Sequence, residues 1–370
     1  MKRLEVNQTI VPDKNVLLHH WEKVLDSGKL TNNQVEIQSF EKQLEISCQR
    51  SHALAVSSGT MALHLLIRAL DLPKGEIIVP AFSFVATASA PLWEGYKVAL
   101  CDIDPKTLCI DPGKVEARIS SNTRAILGVH VFGQPCAVNE LEALGKHHGI
   151  PVIYDGAHAM GSMLHNKSLL VYGLASMTSL HTSKIVSSIE GGALFTDDAT
   201  LQKRLFQMRY FGRNASNQDE LLGTNAKMHE FSAAYGQLSL ARLNEEVEAR
   251  RQIAVRYDEA FSAVEGLDVF KESANHYWNR AYYPVQVHDS ASIEKIMEQG
   301  EKQNIGFRPY WRPALQDLPY LKEENGQRYP VASFAASHTL CLPIYSSMKS
   351  NDVERVIQCI IKAMAHQKLR

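Results

Sequence analysis

Three short stretches carry residues whose types and spacing could do chemistry. Residues 179–196 read SLHTSKIVSSIEGGALFT and set one lysine, Lys184, between two apolar, strand-like runs. Ser179 and His181 precede it, and Glu190, Gly191 and Gly192 follow, the glycines allowing a close backbone turn before the next strand. A lone lysine usually sits in a solvated loop; one held inside a protein can serve as a nucleophilic amine. Residues 151–161, PVIYDGAHAMG, end an apolar strand on Asp155, with His158 three residues on. That carboxylate could cap a helix or face a cation. In residues 56–70, VSSGTMALHLLIRAL, a strand runs into Ser57 and Ser58, and Gly59 and Thr60 open a helix. An N-cap serine explains this turn, and so does an anion site, because a helix start offers unpaired N–H groups and a positive dipole end. No Walker loop or GxGxxG fingerprint occurs in the chain.

Taken together, a lysine, an aspartate at a strand end and a helix start able to hold phosphate are what pyridoxal 5'-phosphate (PLP) requires. The lysine amine forms a Schiff base and later moves protons, the aspartate keeps the pyridine nitrogen protonated, and the helix start holds the phosphate. In PAFSFVATASA (80–90), Phe84 could stack on the flat face of such a ring or be a core aromatic.

These residues must be placed by the elements around them. From 53 to 196, the runs ALAVSS, EIIVP, KVALCDID, TRAILGVHVF, IPVIYD, ASMTSLH and GALFT read as strands, separated by helical patterns such as GTMALHLLIRAL, FVATASAPLWEG and VNELEALGKHHG. The alternation predicts an α/β fold whose mostly parallel, seven-stranded sheet lies between helices. Ligands of such sheets gather at the carboxyl ends of the strands. A helical stretch from about Glu230 to Phe261 then leads into a smaller α+β C-terminal domain, in which YYPVQVH is a strand and SIEKIMEQGEKQ and NDVERVIQCIIKAMAHQ (351–367) are helices. The expected division is a large cofactor-binding domain over 1–240 and a small domain over 241–370.

Composition narrows the function further. With 370 residues, 45% of them hydrophobic and 21% charged, the chain reads as folded and large enough for two domains. A formal net charge of −1 gives no general attraction for nucleic acid or an anionic membrane surface, so neither is an expected partner. The uncharged run 77–93 is broken by Pro80 and is short for a membrane span. Six cysteines without CxxC spacing argue against a zinc ribbon and a disulfide framework; no metal is expected, and a reducing cytoplasm fits best. The first residues lack the apolar region of a secretory signal.

From about residue 30 to the C-terminus, the chain resembles the DegT/DnrJ/EryC1/StrS family of PLP-dependent nucleotide-sugar aminotransferases, members of the aspartate-aminotransferase fold type I. The motifs that carry the resemblance are SSGTMALHL, VPAFSFVATASA, DIDP, DGAHAMG, SLHTSK, EGGALFTDD, GTNAKMHEFSAAYGQLSL and LCLPIY. The resemblance implies that Lys184 forms the internal aldimine, Asp155 contacts the pyridine nitrogen, and His158 lies beside the ring's phenolic oxygen. It places Phe84 on the ring face and Gly59, Thr60 and Ser179 at the phosphate. Asn225 matches an asparagine that reaches the phosphate from the neighbouring subunit, which implies a homodimer with shared active sites. Two departures are mild: Gly156 stands where many members have alanine, and Lys227 where many have arginine.

The segment IGFRPYWRPALQDLPY (305–320) resembles the version found in enzymes that aminate carbon four of a nucleotide-linked 4-keto-6-deoxy sugar, which makes Arg308, Tyr310 and Trp311 candidate substrate contacts. Packing and solvated charge are the alternative for these three. The implied partners are L-glutamate as amino donor and a nucleotide-linked keto sugar, foremost dTDP-4-keto-6-deoxyglucose, for a deoxyamino sugar of a surface polysaccharide such as lipopolysaccharide O-antigen. Amination at carbon three and a UDP- or GDP-linked sugar are alternatives. Sugar dehydratases of the same fold replace the lysine with histidine, whereas Lys184 is present here. A non-catalytic PLP-binding sensor would need a DNA-binding appendage, and no basic helix-turn-helix segment is visible.

Overall fold

The computed structural model describes residues 3–324 and 328–365. Its main sheet is built from β1 (His52–Val56), β2 (Glu76–Pro80), β3 (Lys97–Cys101), β4 (Thr123–Val129), β5 (Val152–Asp155), β6 (Ala175–Ser179) and β7 (Gly192–Thr196). All seven expected strands are present, in spatial order β1-β7-β6-β5-β4-β2-β3. Only β7 runs against its neighbours, pairing antiparallel with β1 and β6, while the remaining pairs are parallel. Every residue of β5 and β7 is buried, as in a sheet covered on both faces. The expected helices follow their strands: α1 (Gly59–Ala69), α2 (Val85–Trp93) and α3 (Val138–His148). Because the parallel strands share one direction, the chain ends of β4, β5 and β6 open at one edge of the sheet.

The stretch expected as one helix is two, α4 (Glu230–Ala241) and α5 (Leu243–Phe261), separated at Arg242 with φ −96° and ψ 1°. No proline or glycine marks the break, so local propensity gives no warning of it. Packing imposes it: α4 is buried around most of its circumference, and a Cβ on Gly236 would come within 2.6 Å of the Phe40 ring. Helix α5 begins in the first unit's core with Leu243 and Val247 and ends in a separate core with Ile253, Tyr257 and Phe261.

That second core lies under a four-stranded antiparallel sheet of β8 (Leu267–Val269), β9 (Tyr283–Val287), β10 (Arg308–Pro309) and β11 (Thr339–Leu342), in order β8-β9-β11-β10. Helices α6 (Ala291–Gln303) and α8 (Ser350–Ala365) pack on it, with α7 (Pro330–His338) ahead of β11. Residues 366 and 367 of the expected last helix lie outside the described residues. We keep the division at residue 240 as a proposal, noting that Leu4 belongs to the second core and that Ile344 N–H donates to the Val6 carbonyl at 3.0 Å.

Two contacts fasten the second unit over the strand ends. Asp102, the first residue of DIDP and just past β3, accepts hydrogen bonds from the N–H groups of Val331 and Ala332 at 3.2 and 2.9 Å, capping α7. Leu315 N–H donates to the Ala81 carbonyl beyond β2 at 3.0 Å. Together they hold the 308–315 segment across the edge where the strands open. Among the described residues, no helix is long and apolar enough to cross a membrane.

Candidate active site

A cavity of about 350 Å³ lies at that edge, under the second unit. Ten of the eleven residues expected at the site line it: Gly59, Thr60, Phe84, Asp155, His158, Ser179, Lys184, Arg308, Tyr310 and Trp311. The eleventh, Asn225, lies outside the cavity of its own chain, on an exposed segment laid along the end of β1, with its side-chain oxygen accepting from Lys227 Nζ at 2.5 Å.

The helix start combines both readings of its sequence. Ser58 caps α1, its hydroxyl accepting from Met61 N–H at 3.1 Å and its carbonyl from Ala62 N–H at 3.0 Å. The N–H groups of Gly59 and Thr60 keep no protein partner among the described residues and, with the positive end of the helix, face the cavity as an anion site. Glycine is required around this turn by close approach. A Cβ on Gly192 would stand 2.6 Å from the carbonyl carbon of Ser58, and one on Gly59 would stand 3.0 Å from the Ser179 Cβ. This accounts for one of the two glycines after Lys184: without a side chain at 192, β7 can lie against the backbone of the Ser58–Thr60 turn.

Lys184 sits in the loop between β6 and β7, its own N–H donating to the His181 carbonyl at 2.9 Å, and it is largely buried. Its Nζ donates to the Tyr282 hydroxyl at 3.1 Å. Burial draws the amine pKa down from 10.5 to about 8; the Asp155 carboxylate opposes this and the Arg308 guanidinium reinforces it. Asp155 lies at the end of β5. Oδ1 accepts from Ala157 N–H and Oδ2 from the Thr87 hydroxyl, both at 3.0 Å. Burial pushes the carboxyl pKa up, against those two hydrogen bonds and the nearby lysine. Among the described residues no helix follows directly on Asp155, so its helix-cap reading gives way to a buried carboxylate lining the cavity.

His158 accepts from Phe132 N–H through Nδ1 at 3.2 Å, which leaves the ring proton on Nε2. Burial, helped by Lys184, holds its pKa well below the ordinary value, so the imidazole is neutral. Its plane lies within 10° of the Trp311 plane, ring centres 5.7 Å apart, and within 3° of that of Phe132. Phe84 caps α2 with 53% of its surface exposed, so it is a ring at the cavity wall rather than a core aromatic. Tyr310 is buried beneath Arg308, whose guanidinium lies 4.9 Å from the centre of its ring.

Sequence reading missed Thr87, Tyr282 and the pair His181–Glu190. Thr87 lies one turn into α2, in a stretch already singled out for Phe84. Tyr282 precedes β9 in a run that reads only as a strand. His181 Nε2 lies 3.5 Å from Glu190 Oε1 at the mouth of the cavity; both flank Lys184 in sequence, and only the folded loop brings them together.

These residues fit PLP. A buried carboxylate on which Lys184 is the one formal cation acting among the described residues, helix-start N–H groups unpartnered among those residues beside Ser179, and a partly desolvated amine all meet in one cavity. Sheet, loop lysine and strand-end aspartate define a PLP-dependent enzyme of fold type I. The model of the DegT/DnrJ/EryC1/StrS aminotransferase family matches residues 13–361, and the chain belongs to this family of PLP-dependent sugar aminotransferases. It is 30% identical over 362 residues to a dTDP-4-amino-4,6-dideoxy-D-glucose transaminase of Shigella dysenteriae, covering 97% of this chain and 98% of the relative. A dTDP-3-amino-3,6-dideoxy-alpha-D-galactopyranose transaminase of Aneurinibacillus thermoaerophilus is 29% identical over 328 residues, 88% of this chain and 89% of its own. Among solved structures, DesI in the presence of its TDP-sugar product superposes with a TM-score of 0.94 at 30% identity, over 100% of this chain and 95% of that one.

Proposed function

We propose that this enzyme moves the amino group of L-glutamate to carbon four of dTDP-4-keto-6-deoxyglucose. It does so as a homodimer in the cytoplasm, and the product is a deoxyamino sugar for a surface polysaccharide. The observation that carries the reading is the meeting of Lys184 with Asp155 and the α1 start in one cavity roofed by Arg308, Tyr310 and Trp311. The name of the 30%-identical Shigella relative supports carbon four and the dTDP carrier, and the TDP-sugar product of DesI supports the carrier.

Bound PLP supplies an electron sink that lets a proton leave the carbon bearing the amino group. Lys184, with its pKa near 8, is neutral in a useful fraction of molecules at neutral pH and can accept that proton at Nζ and return it. Asp155 gives the ring nitrogen an anionic partner, and a cation brought beside it pulls its raised pKa back down. The N–H groups of Gly59 and Thr60, with the Ser179 hydroxyl, hold the phosphate. His158 offers its Nε2–H to the phenolic oxygen, and Phe84 covers a ring face. Arg308, Tyr310 and Trp311 contact the substrates from above, and Asn225 serves the phosphate of the partner's site.

Carbon three is the second reading, supported by the 3-amino relative from Aneurinibacillus thermoaerophilus, which matches less of the chain. The test is to reconstitute the protein with PLP, follow its visible band on addition of L-glutamate, and then add dTDP-4-keto-6-deoxyglucose. Loss of the band, its recovery with the keto sugar, and a product carrying nitrogen at carbon four by NMR are expected. A band that persists with L-glutamate, together with no aminated product, overturns the proposal.

A further inference from the structure

Tyr282 has no part in the assignments above, yet its hydroxyl is the only side-chain hydrogen-bond partner of Lys184 Nζ among the described residues, at 3.1 Å. The relation is mutual, because Nζ is also the only described partner of that hydroxyl. Tyr282 is 3% exposed. Its ring packs on His158 with centres 4.3 Å apart, on Phe132 at 5.7 Å and edge-to-face on Tyr310 at 5.7 Å. A phenylalanine would fill this slot equally well, and burying a phenol is unfavourable unless its hydroxyl is bonded. The hydroxyl therefore serves the amine rather than the packing.

The two residues also come from different units. Lys184 belongs to the loop between β6 and β7, whereas Tyr282 immediately precedes β9 of the second sheet. We propose that Tyr282 is a positioning residue for Lys184, its hydroxyl holding Nζ in place at the cavity whenever the amine is free, accepting from the ammonium and donating to the neutral amine. Burial pushes the phenol's own pKa well up, so it keeps its proton, and the only proton that moves is the one Nζ takes up and returns. The other charged or titratable groups facing the amine are Asp155 at the end of β5, His158 in the turn after it, Arg308 and Tyr310 from the second unit, and His181 and Glu190 at the mouth.

The test is Tyr282→Phe with two readouts. The first is the rate at which the apoprotein captures PLP as a function of pH, which follows the neutral fraction of Lys184 and does not depend on turnover. A charge-assisted bond to the ammonium is stronger than a neutral one. Its loss therefore lowers the midpoint, by about one pH unit. The second readout is the loss of the visible band in a single turnover with L-glutamate. The rate at saturation is expected to fall about tenfold or more, with half-saturation unchanged within about twofold. Far-UV circular dichroism should match wild type, since a phenyl ring still fills the slot, while the apoprotein should melt slightly lower at pH 7, where the ammonium has lost its partner.

A wild-type midpoint in Tyr282→Phe overturns the proposal, whatever amino donor the enzyme uses. So does a raised half-saturation with an unchanged rate, which would make Tyr282 a substrate contact. Only the second readout rests on the proposed function. If the wild-type band resists L-glutamate, the donor assignment fails while the midpoint still decides the role of Tyr282.

Discussion

The Thr87 hydroxyl donates a 3.0 Å hydrogen bond to Oδ2 of Asp155, reaching from α2 to the end of β5, and both residues are buried. Ser83 extends the chain with a 2.7 Å contact between the two hydroxyls. Burial raises the Asp155 pKa, and the Thr87 bond works against that rise. In Thr87→Val the pKa climbs further, and a protonated Asp155 offers no charge to a cationic ring nitrogen. Retention of PLP is therefore expected to fail at a higher pH than in wild type as the solution is acidified, which dialysis at a series of pH values measures. Asp155→Ala should lower turnover at every pH, by about a hundredfold or more.

Lys184 is strained electrostatically as well as being the proposed reactive amine. Its pKa in the folded apoprotein is about 8 against 10.5 for an ordinary lysine, so below pH 8 the fold carries the full penalty of a buried ammonium. Between 8 and 10.5 the unfolded chain holds the proton and the folded one does not, and stability rises with pH. Lys184→Met removes the charge at similar volume. The apo variant should melt above apo wild type at pH 7, with the difference shrinking through that window, and it should show no aminotransfer. Equal melting at pH 7 would mean that the amine is well solvated.

Much of this site is legible in the sequence because it hangs on strand ends. Asp155, Ser179 and the Ser58–Thr60 turn each follow an apolar run whose period declares a strand, and a parallel sheet brings such ends to one edge. The loop lysine follows from its neighbours. What local patterns do not carry is the way the second unit folds back. Tyr282 reads as the first residue of a strand, and its meeting with Lys184, 98 positions earlier, depends on the Asp102 cap of α7 and on the break at Arg242. Phe84 stays ambiguous in sequence because core aromatics and ring-stacking aromatics share the same spacing; exposure decides between them.

Gly156 departs from the alanine common in this family, and the change is less mild in this fold than its chemistry suggests. A Cβ there would lie 2.4 Å from Leu170 Cδ2 and 2.8 Å from the Met177 carbonyl oxygen. The Leu170 side chain can turn aside, but the β6 backbone cannot do so without moving Ser179. Gly156→Ala should cost about 1–3 kcal/mol by overpacking. That lowers the melting temperature by several degrees and weakens PLP binding through the displaced strand end. Unchanged melting and affinity would show that the turn relaxes freely.

Arg308 forms no ion pair or side-chain hydrogen bond among the described residues, lines the cavity, and lowers the Lys184 pKa by its charge. Arg308→Gln should therefore do two separable things. Half-saturation for an anionic substrate should rise by about tenfold or more. The Lys184 pKa should also move up, carrying the limb of the pH–rate profile that reports amine deprotonation to higher pH. Steady-state kinetics across pH, with each substrate varied in turn, resolves both effects and shows which half-reaction the arginine serves.

Asn225 lies on an exposed strip beside β1, outside its own cavity, so a role at the phosphate requires a second copy of the chain. In such a homodimer, each site would take Lys184 from one subunit and Asn225 from the other. Asn225→Ala alone should weaken PLP retention, and Lys184→Ala alone should abolish turnover. When the two variants are unfolded, mixed and refolded, a hybrid dimer contains one site with both residues intact and one with both missing. Random pairing makes half the dimers hybrids, so turnover should recover to about one quarter of wild type under PLP concentrations at which Asn225→Ala is empty. If both residues of a site came from one chain, every site in the mixture would lack one of them. No recovery would appear, which makes the mixing experiment decisive for a shared site.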